Sequence, residues 1–276
     1  MRGFLVIVLA MAAAPAWAQQ PLTASEVMAR VAANQDRAEQ LRKEYVYQQH
    51  IHVVLRQTNG KLRRDETADY DVFPTPDGIQ RKLMSLTGRY LEKGKYVDFH
   101  GDADTPKHEE DLDAELAHDF RDDFANEKSK DGLGRDLFPF TTENQTRYKF
   151  RLLGEAVQDG RAVYHLAFTP ADKDDVTWAG EAYIDKEDFQ PVLAFTKLSR
   201  KLPLFVRGVL GTDLPGIGFS VHYKRQPDGV WFPVSFGTEF RLKVLFFLKR
   251  DIALSLENRN FEHTHVDTKI TVATPQ

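Results

Sequence analysis

Two pairs of histidines are the residues of this chain whose type and spacing could support metal chemistry. His50 and His52 are separated by one residue, and so are His263 and His265. Residues two apart in a β-strand point to the same side, so each pair could offer two imidazole ligands to zinc, with a third ligand from elsewhere. A metal-dependent hydrolase is therefore one function that the sequence could encode.

The residues around the first pair indicate a different role. The strand that holds His50 and His52 carries its more apolar side chains on the opposite face, at Tyr45, Tyr47, Ile51, Val53 and Leu55. The two histidines therefore point away from the core, as polar residues commonly do on one side of an antiparallel sheet. We expect none of the four histidines to bind a metal, and we expect no cofactor.

Signatures of other catalytic chemistry are absent from the sequence. The chain has no cysteine, which excludes a cysteine nucleophile. It also has no Gly-x-Ser-x-Gly elbow, phosphate-binding loop or dinucleotide fingerprint. The stretch His108-Glu109-Glu110 is not a zinc-protease helix, because Leu112 stands where a second histidine is required. The sequence therefore predicts a protein that is not an enzyme.

The first residues have the pattern of a secretory signal peptide. Arg2 precedes an apolar run from Phe4 to Ala14, and Pro15 and the small-x-small stretch Ala16-Trp17-Ala18 follow. The apolar run is shorter than the roughly 20 residues that a membrane-spanning helix needs. We expect residues 1–18 to be removed and the mature chain to be periplasmic. Without a cysteine, it would carry no lipid anchor of the lipoprotein type.

The charge distribution singles out one segment. The formal net charge is only −4, which argues against a nucleic-acid partner. From Asp98 to Asp136, however, there are 14 acidic and 5 basic residues. We expect this acidic insertion, about residues 98–136, to contain a helix from about Lys107 to Glu127. Its charged side could be a solvated face or a docking surface for a basic protein partner.

Alternating hydrophobicity predicts the elements that must position any site. From Val230 to Leu242 one face is apolar and aromatic, whereas Trp231 and Glu239 fall on the other. This two-residue period is typical of a strand with one buried side. Similar alternation recurs from Ala162 to Phe168 and from Phe219 to Tyr223. The pattern predicts a large curved antiparallel sheet with an apolar inner face.

Turn and capping signals set the remaining organisation. Thr23 and Glu26 have the spacing of a capping box, which predicts a helix to about Lys43. Asn59-Gly60 is a strong hairpin signal between two strands. About ten strands are expected in all. No Pro/Ser-rich linker divides them, so residues 19–276 are interpreted as a single domain of mainly β (α+β) class.

Two apolar segments do not alternate as strands do. Leu204–Phe219 is rich in Gly and Pro, and Val244–Leu248 is an unbroken apolar run. Either could be a buried loop. Because cations flank both, they could instead form an apolar lip that makes transient membrane contact. The candidate membrane-contact residues are Phe205, Val206, Leu210, Phe246 and Phe247.

Three stretches carry a resemblance to a known family. Gly160–Leu166, Ala182–Val192 and Asp228–Pro233 resemble the LolA-like periplasmic outer-membrane lipoprotein-sorting family. The resemblance implies an unclosed antiparallel β-barrel whose concave face is covered by helices and holds acyl chains, with no catalytic residues. The acidic insertion and Leu204–Phe219 have no counterpart in that pattern.

The leading hypothesis is a lipid or lipoprotein binding protein, acting as carrier or chaperone toward the outer membrane. An apolar trough could hold acyl chains by area alone, at about 0.8 kcal/mol per buried CH2. The alternatives are a lipid-sensing or protein-interaction module of the same fold, with the trough filled by side chains, and the metal-dependent hydrolase. The predicted lipid-binding residues are Tyr164, Leu166, Phe168, Val230, Phe232, Val234, Phe236, Phe240 and Leu242.

Overall fold

The computed structural model describes residues 21–75, 78–101, 111–123, 137–172, 178–198, 217–244 and 248–264. Within these ranges the chain forms eleven strands and three helices. The helices are α1 (Ala24–Arg42), α2 (Leu112–Asp123) and α3 (Thr142–Gln145). The strands are β1 (Tyr45–Arg56), β2 (Leu62–Thr75), β3 (Gly78–Glu92), β4 (Lys95–Gly101), β5 (Tyr148–Gln158), β6 (Arg161–Pro170), β7 (Trp178–Asp185), β8 (Pro191–Leu198), β9 (Gly218–Arg225), β10 (Trp231–Val244) and β11 (Leu248–His263).

All eleven strands belong to one antiparallel sheet. Their order is β4-β3-β2-β1-β11-β10-β9-β8-β7-β6-β5, so β11 returns beside β1 and joins an N-terminal meander to a C-terminal one. Within the described residues β4 and β5 are the two edges and do not pair with each other. The predicted class, a mainly β unclosed antiparallel barrel with an N-terminal helix, is confirmed.

Local signals in the sequence account for the element boundaries. Thr23 caps α1, and its hydroxyl and backbone N–H exchange hydrogen bonds with Glu26 as a capping box requires. Gly60 has a φ of 84°, the left-handed conformation that a tight hairpin needs and that glycine adopts without steric cost. The structure adds one strand to the ten expected. β4 includes Asp98 and Gly101, so the acidic stretch begins within the sheet.

One face of the sheet, here called the inner face, is covered by the helices. Buried residues of α1 and α2, among them Met28 and Ala117, belong to the same hydrophobic core as the strands. One inner row crosses ten strands by successive cross-strand pairs. It consists of Phe150, Phe168, Gly180, Thr196, Phe219, Thr238, Leu254, Val53, Glu66 and Gly88. The opposite side is called the outer face.

A β-bulge changes the predicted facing at the start of β10. Pro233 pairs with Tyr223 and Ser235 pairs with His222, so Val234 is an extra residue between them. An extra residue reverses the side to which the residues before it point. Trp231 is accordingly 4% exposed and belongs to the core, so the prediction that it points away from the apolar face is wrong. Glu239, beyond the bulge, is exposed as predicted.

No helix in the part of the chain that the structure describes is both long and apolar enough to span a membrane.

Candidate ligand-binding site

The residues predicted to line an apolar trough lie mostly in a packed core. Leu166 and Phe168 are each 1% exposed, and Phe236 is 3% exposed. Phe240 is also buried on the inner face. Phe232 is buried too, but it precedes the bulge at Val234 and pairs with Lys224, so the prediction that it shares a face with Phe236 is wrong. Tyr164, Val230 and Val234 are half-buried, and Leu242 is a residue of β10. The structure therefore brings aromatic residues of the inner face together, but it fills the space above them.

Helix and loop residues fill that space. Phe120 of α2 packs edge-on against Phe240 with ring centroids 5.4 Å apart. Phe140 packs edge-on against Tyr223 at 6.2 Å, and α1 contributes Met28 to the same core. Edge-to-face pairs of this kind stabilise a core beyond the area that they bury. The inner face is thus built for packing.

Buried ion pairs hold α2 against the inner face. The Asp113 carboxylate accepts two hydrogen bonds from Arg250, at 2.6 and 3.0 Å, and one from Arg63 at 2.9 Å. Burial alone would raise the pKa of Asp113, but the hydrogen bonds and charges of the two guanidinium groups outweigh it and hold that pKa below its ordinary value. Asp113 is therefore ionised at neutral pH, in a bidentate pair of the strong kind.

A second buried pair fixes the other end of α2. Arg121 donates to the Glu66 carboxylate at 2.7 Å, and Arg64 donates to its other oxygen at 2.6 Å. Glu66 lies in the inner row of the sheet and is almost fully buried. Removing one partner of such a pair leaves a buried charge uncompensated, so α2 is held at both ends by interactions that are expensive to break.

An open groove of about 870 Å³ lies on the outer face, across β7, β8, β9, β10, β11 and β1. We call it the outer groove. Its floor is made of two neighbouring outer rows of the sheet. One row consists of Glu181, Phe195, Ser220, Gly237, Ser255 and His52, and the other of Ala179, Lys197, Gly218, Glu239, Ala253 and Val54.

Small side chains create this space. Six of the twelve positions in the two rows are alanine, glycine or serine, as at the neighbouring Ser220 and Gly237. Phe195 lines the groove between Glu181 and Ser220, with 45% of its surface exposed. The groove therefore combines a flat floor of small residues with one aromatic wall.

Packing within the sheet does not require a glycine at position 237 of the floor. A Cβ added at Gly237 would lie 3.5 Å from the Ser220 hydroxyl oxygen and 4.0 Å from the Leu254 carbonyl oxygen, which are ordinary contacts. At Gly180, by contrast, an added Cβ would collide with the Phe195 backbone and the Phe168 ring. Gly180 is thus required by the fold, whereas at Gly237 the missing side chain leaves room that the fold itself does not use.

Some polar groups around the floor are hydrogen-bonded to neighbouring side chains, and others are exposed charges. His52 is hydrogen-bonded to Asp65 at 2.8 Å, and Glu181 to His165 at 2.7 Å. Lys197 and Glu239 are exposed and form no ion pair within the described residues. The groove can thus offer one free cation and one free anion to an amphipathic ligand.

The paired histidines take part in hydrogen bonds with carboxylates. His50 lies 2.8 Å from Asp69, and His263 lies 2.9 Å from Glu44. In the ranges that the structure covers, no group of three or more potential ligands is placed to hold a metal ion. His265 lies outside the described residues.

Several predicted features cannot be placed. Phe205, Val206, Leu210, Phe246 and Phe247 all lie outside the described residues, as do parts of the acidic insertion. The sequence alone does not predict the outer groove, because polar faces of strands are typical of a solvated surface. The available signal was the recurrence of Gly, Ala and Ser at alternate positions, as at Gly218 and Ser220 or Ala253 and Ser255.

No known protein-family signature matches the chain, and no curated protein matches it. Among solved structures it is similar to a domain named for outer membrane lipoprotein sorting from Vibrio parahaemolyticus, at 9% identity and a TM-score of 0.39, covering 88% of this chain and 95% of that one. It is similar to a LolA superfamily protein from Nitrosomonas europaea, at 11% identity and a TM-score of 0.36, covering 89% and 96%. Mycobacterium tuberculosis lipoprotein LppX matches at 10% identity and a TM-score of 0.28, covering 87% and 98%.

Proposed function

We propose that this protein binds lipid, and that the outer groove holds part of an acyl chain. Its volume of about 870 Å³ lies within the range of roughly 300–1,000 Å³ that is usual for small-molecule sites. The floor offers apolar surface at Val54, Ala179 and Ala253, and Phe195 offers a wall. Each CH2 group that leaves water for such a surface contributes about 0.8 kcal/mol, so a few contacts give measurable affinity without a precisely placed polar group.

The observation that carries the proposal is the unused space above Gly237. A side chain would be accommodated there at ordinary distances, and the glycine lies in an extended strand rather than at a turn. Because glycine in a strand interior weakens the strand, its presence here needs a compensating reason. A ligand that approaches the backbone closely supplies one.

The test is to fill the groove from its floor. Gly237→Phe places a ring in the space, and Gly237→Ala leaves most of it open. We expect the phenylalanine variant to lose at least about tenfold in affinity for a fluorescent fatty acid, because it removes several buried CH2 contacts, and the alanine variant to bind nearly as the parent does. Mass spectrometry of solvent extracts from natively purified protein identifies any lipid that it carries.

A matched control variant distinguishes blocking of the groove from a general loss of folding. Thr87 lies in the same outer row, paired with Thr67 and His100, but outside the groove. Thr87→Phe should therefore leave fatty-acid binding unchanged. If Gly237→Phe binds as tightly as the parent while both variants keep the parental melting temperature, the groove is not the lipid site. Lack of any lipid binding by the parent would favour the protein-interaction module.

We further propose that the protein is exported and acts as a periplasmic lipid carrier. The signal-peptide pattern of residues 1–18 supports export. The mass of the mature protein from the periplasmic fraction tests this, and it should begin near Gln19. Retention of Met1 in the cytoplasmic fraction would refute it.

A further inference from the structure

Two opposite charges lie on either side of a gap in the outer groove. Lys197 on β8 pairs with Gly218 on β9. Glu239 follows Thr238, the partner of Phe219, so it lies on β10 at the far side of Gly218. Adjacent strands are about 4.8 Å apart, which places the Cα atoms of the two charged residues roughly 10 Å from each other.

The fold keeps this gap open. An added Cβ at Gly218 would lie 2.9 Å from the Thr196 carbonyl oxygen, closer than such atoms normally approach. A side chain therefore cannot be placed at Gly218 without moving the backbone. The space between Lys197 and Glu239 is fixed by strand packing.

The fold does not use the two charges. Both side chains are exposed, and within the described residues neither has an ion-pair partner, not even the other. The remaining charged residues of the groove are already engaged, His52 with Asp65 and Glu181 with His165. Lys197 and Glu239 are thus the charges of the groove that a ligand can meet.

We propose that Lys197 and Glu239 bind a zwitterionic head group, with a phosphate diester beside Lys197 and a primary ammonium beside Glu239. This inference rests on the proposed lipid function and names the lipid class. An ammonium donates up to three hydrogen bonds, which a carboxylate can accept, and a phosphate diester carries the single negative charge that one lysine balances. A purely anionic head group would gain from Lys197 but would face repulsion from Glu239, so the pair discriminates between the two.

The first experiment compares two soluble lipids that differ in the head group alone. Dihexanoyl-phosphatidylethanolamine and dihexanoyl-phosphatidylglycerol are titrated into the parent protein by calorimetry, below their micelle concentrations. We expect the ethanolamine lipid to bind about fivefold more tightly, the upper range for an exposed ion pair. Equal affinity for the two lipids would overturn the head-group assignment while leaving lipid binding in place.

Two variants assign the charges. Glu239→Gln should abolish the preference, because it weakens the ethanolamine lipid and relieves the repulsion of the glycerol lipid. Lys197→Gln should weaken both lipids by a similar factor. Lys224→Gln serves as the control, because Lys224 is exposed on β9 but lies outside the groove. If Glu239→Gln retains the parental preference, or if the control removes it, the proposal is wrong.

A last comparison distinguishes a lipid from a free head group. sn-Glycero-3-phosphoethanolamine has the same zwitterion without acyl chains, and we expect it to bind at least tenfold more weakly than the dihexanoyl lipid, since the chains contribute about 0.8 kcal/mol per buried CH2. Equal binding of the two would identify a soluble metabolite as the ligand and would overturn the proposed lipid function. Failure of both dihexanoyl lipids to bind would overturn the function and the head-group assignment together.

Discussion

The same strands form two faces that differ in packing, one filled by side chains and one open. Neighbouring residues of β10 show the contrast, since Phe236 is buried beneath the helices while Gly237 leaves space open on the outer face. The inner face carries the aromatic residues and is closed by side chains. The outer face carries small residues and stays accessible. The more apolar side of a sheet is therefore not necessarily the side with room for a ligand.

Two Asp–Arg ion pairs also differ in burial. Asp113 and Arg250 form a bidentate pair under α2, with side chains 3% and 10% exposed. Asp251 and Arg241 form a similar bidentate pair at 2.5 and 3.0 Å, with side chains 34% and 55% exposed. The two pairs have matching chemistry and different surroundings, so differences between them measure what burial contributes.

The largest effect is expected from a charge placed on the inner face. Phe236→Asp should destabilise the protein by more than about 5 kcal/mol, because it removes a buried ring and buries an unpaired carboxylate. Ser255→Asp, on the outer row beside it, should cost less than about 1 kcal/mol. Urea unfolding followed by circular dichroism measures both. Similar losses in the two variants would show that both faces are packed to the same degree.

The paired aspartates give the next prediction. Asp113→Asn should cost about 3–5 kcal/mol, because the buried Arg250 then keeps its charge without the carboxylate partner. Asp251→Asn should cost at most about 1 kcal/mol, since water screens the exposed pair. Chemical denaturation of the two variants and the parent provides the comparison. A small loss for Asp113→Asn would mean that α2 is only loosely held against the sheet.

The stability of the fold at acid pH should depend on a third carboxylate, the buried Asp185. Burial opposes the shift at Asp185, but hydrogen bonds from Arg161 and from the backbone N–H groups of Asp188 and Glu187 lower its pKa in the folded state. Its contribution to stability is therefore fully present above the unfolded pKa of about 4 and is lost as pH falls through the lower folded value.

Asp185→Asn should accordingly flatten the dependence of unfolding free energy on pH below about 4, by at most about 1.4 kcal/mol per pH unit. Melting curves of parent and variant between neutral and acid pH measure the difference. Parallel curves would indicate that Asp185 titrates alike in the folded and unfolded states.

The smallest effect is expected at the outer histidines. Replacing His50 and His52 together by Gln should change stability by less than about 1 kcal/mol, because their hydrogen bonds to Asp69 and Asp65 are partly solvated. Zinc should shift the melting temperature of parent and variant equally or not at all. A zinc-dependent rise confined to the parent would establish a metal site and revive the hydrolase hypothesis.

Local signals in the chain account for the helix α1, the tight turns and most strands of this protein. Capping at Thr23, the hairpin at Gly60 and the two-residue period of the strands each depend on residues close together in the chain, so α1 and most strand positions were predictable. The outward position of His50 and His52 followed from the same alternation. The signals weakened where a single residue changes the register, as at Val234, whose bulge turns Trp231 inward.

Long-range packing determines which face of the sheet is filled and which is open. Periodicity shows that Phe236 and Phe240 share a side, but it cannot show that Phe120 of α2 occupies the space above them. The outer groove likewise depends on lateral strand order, which places Gly218 beside Lys197 and Ser255 beside His52. These neighbours are far apart in the chain, and cross-strand pairing is fixed by the packing of the whole sheet rather than by any local signal.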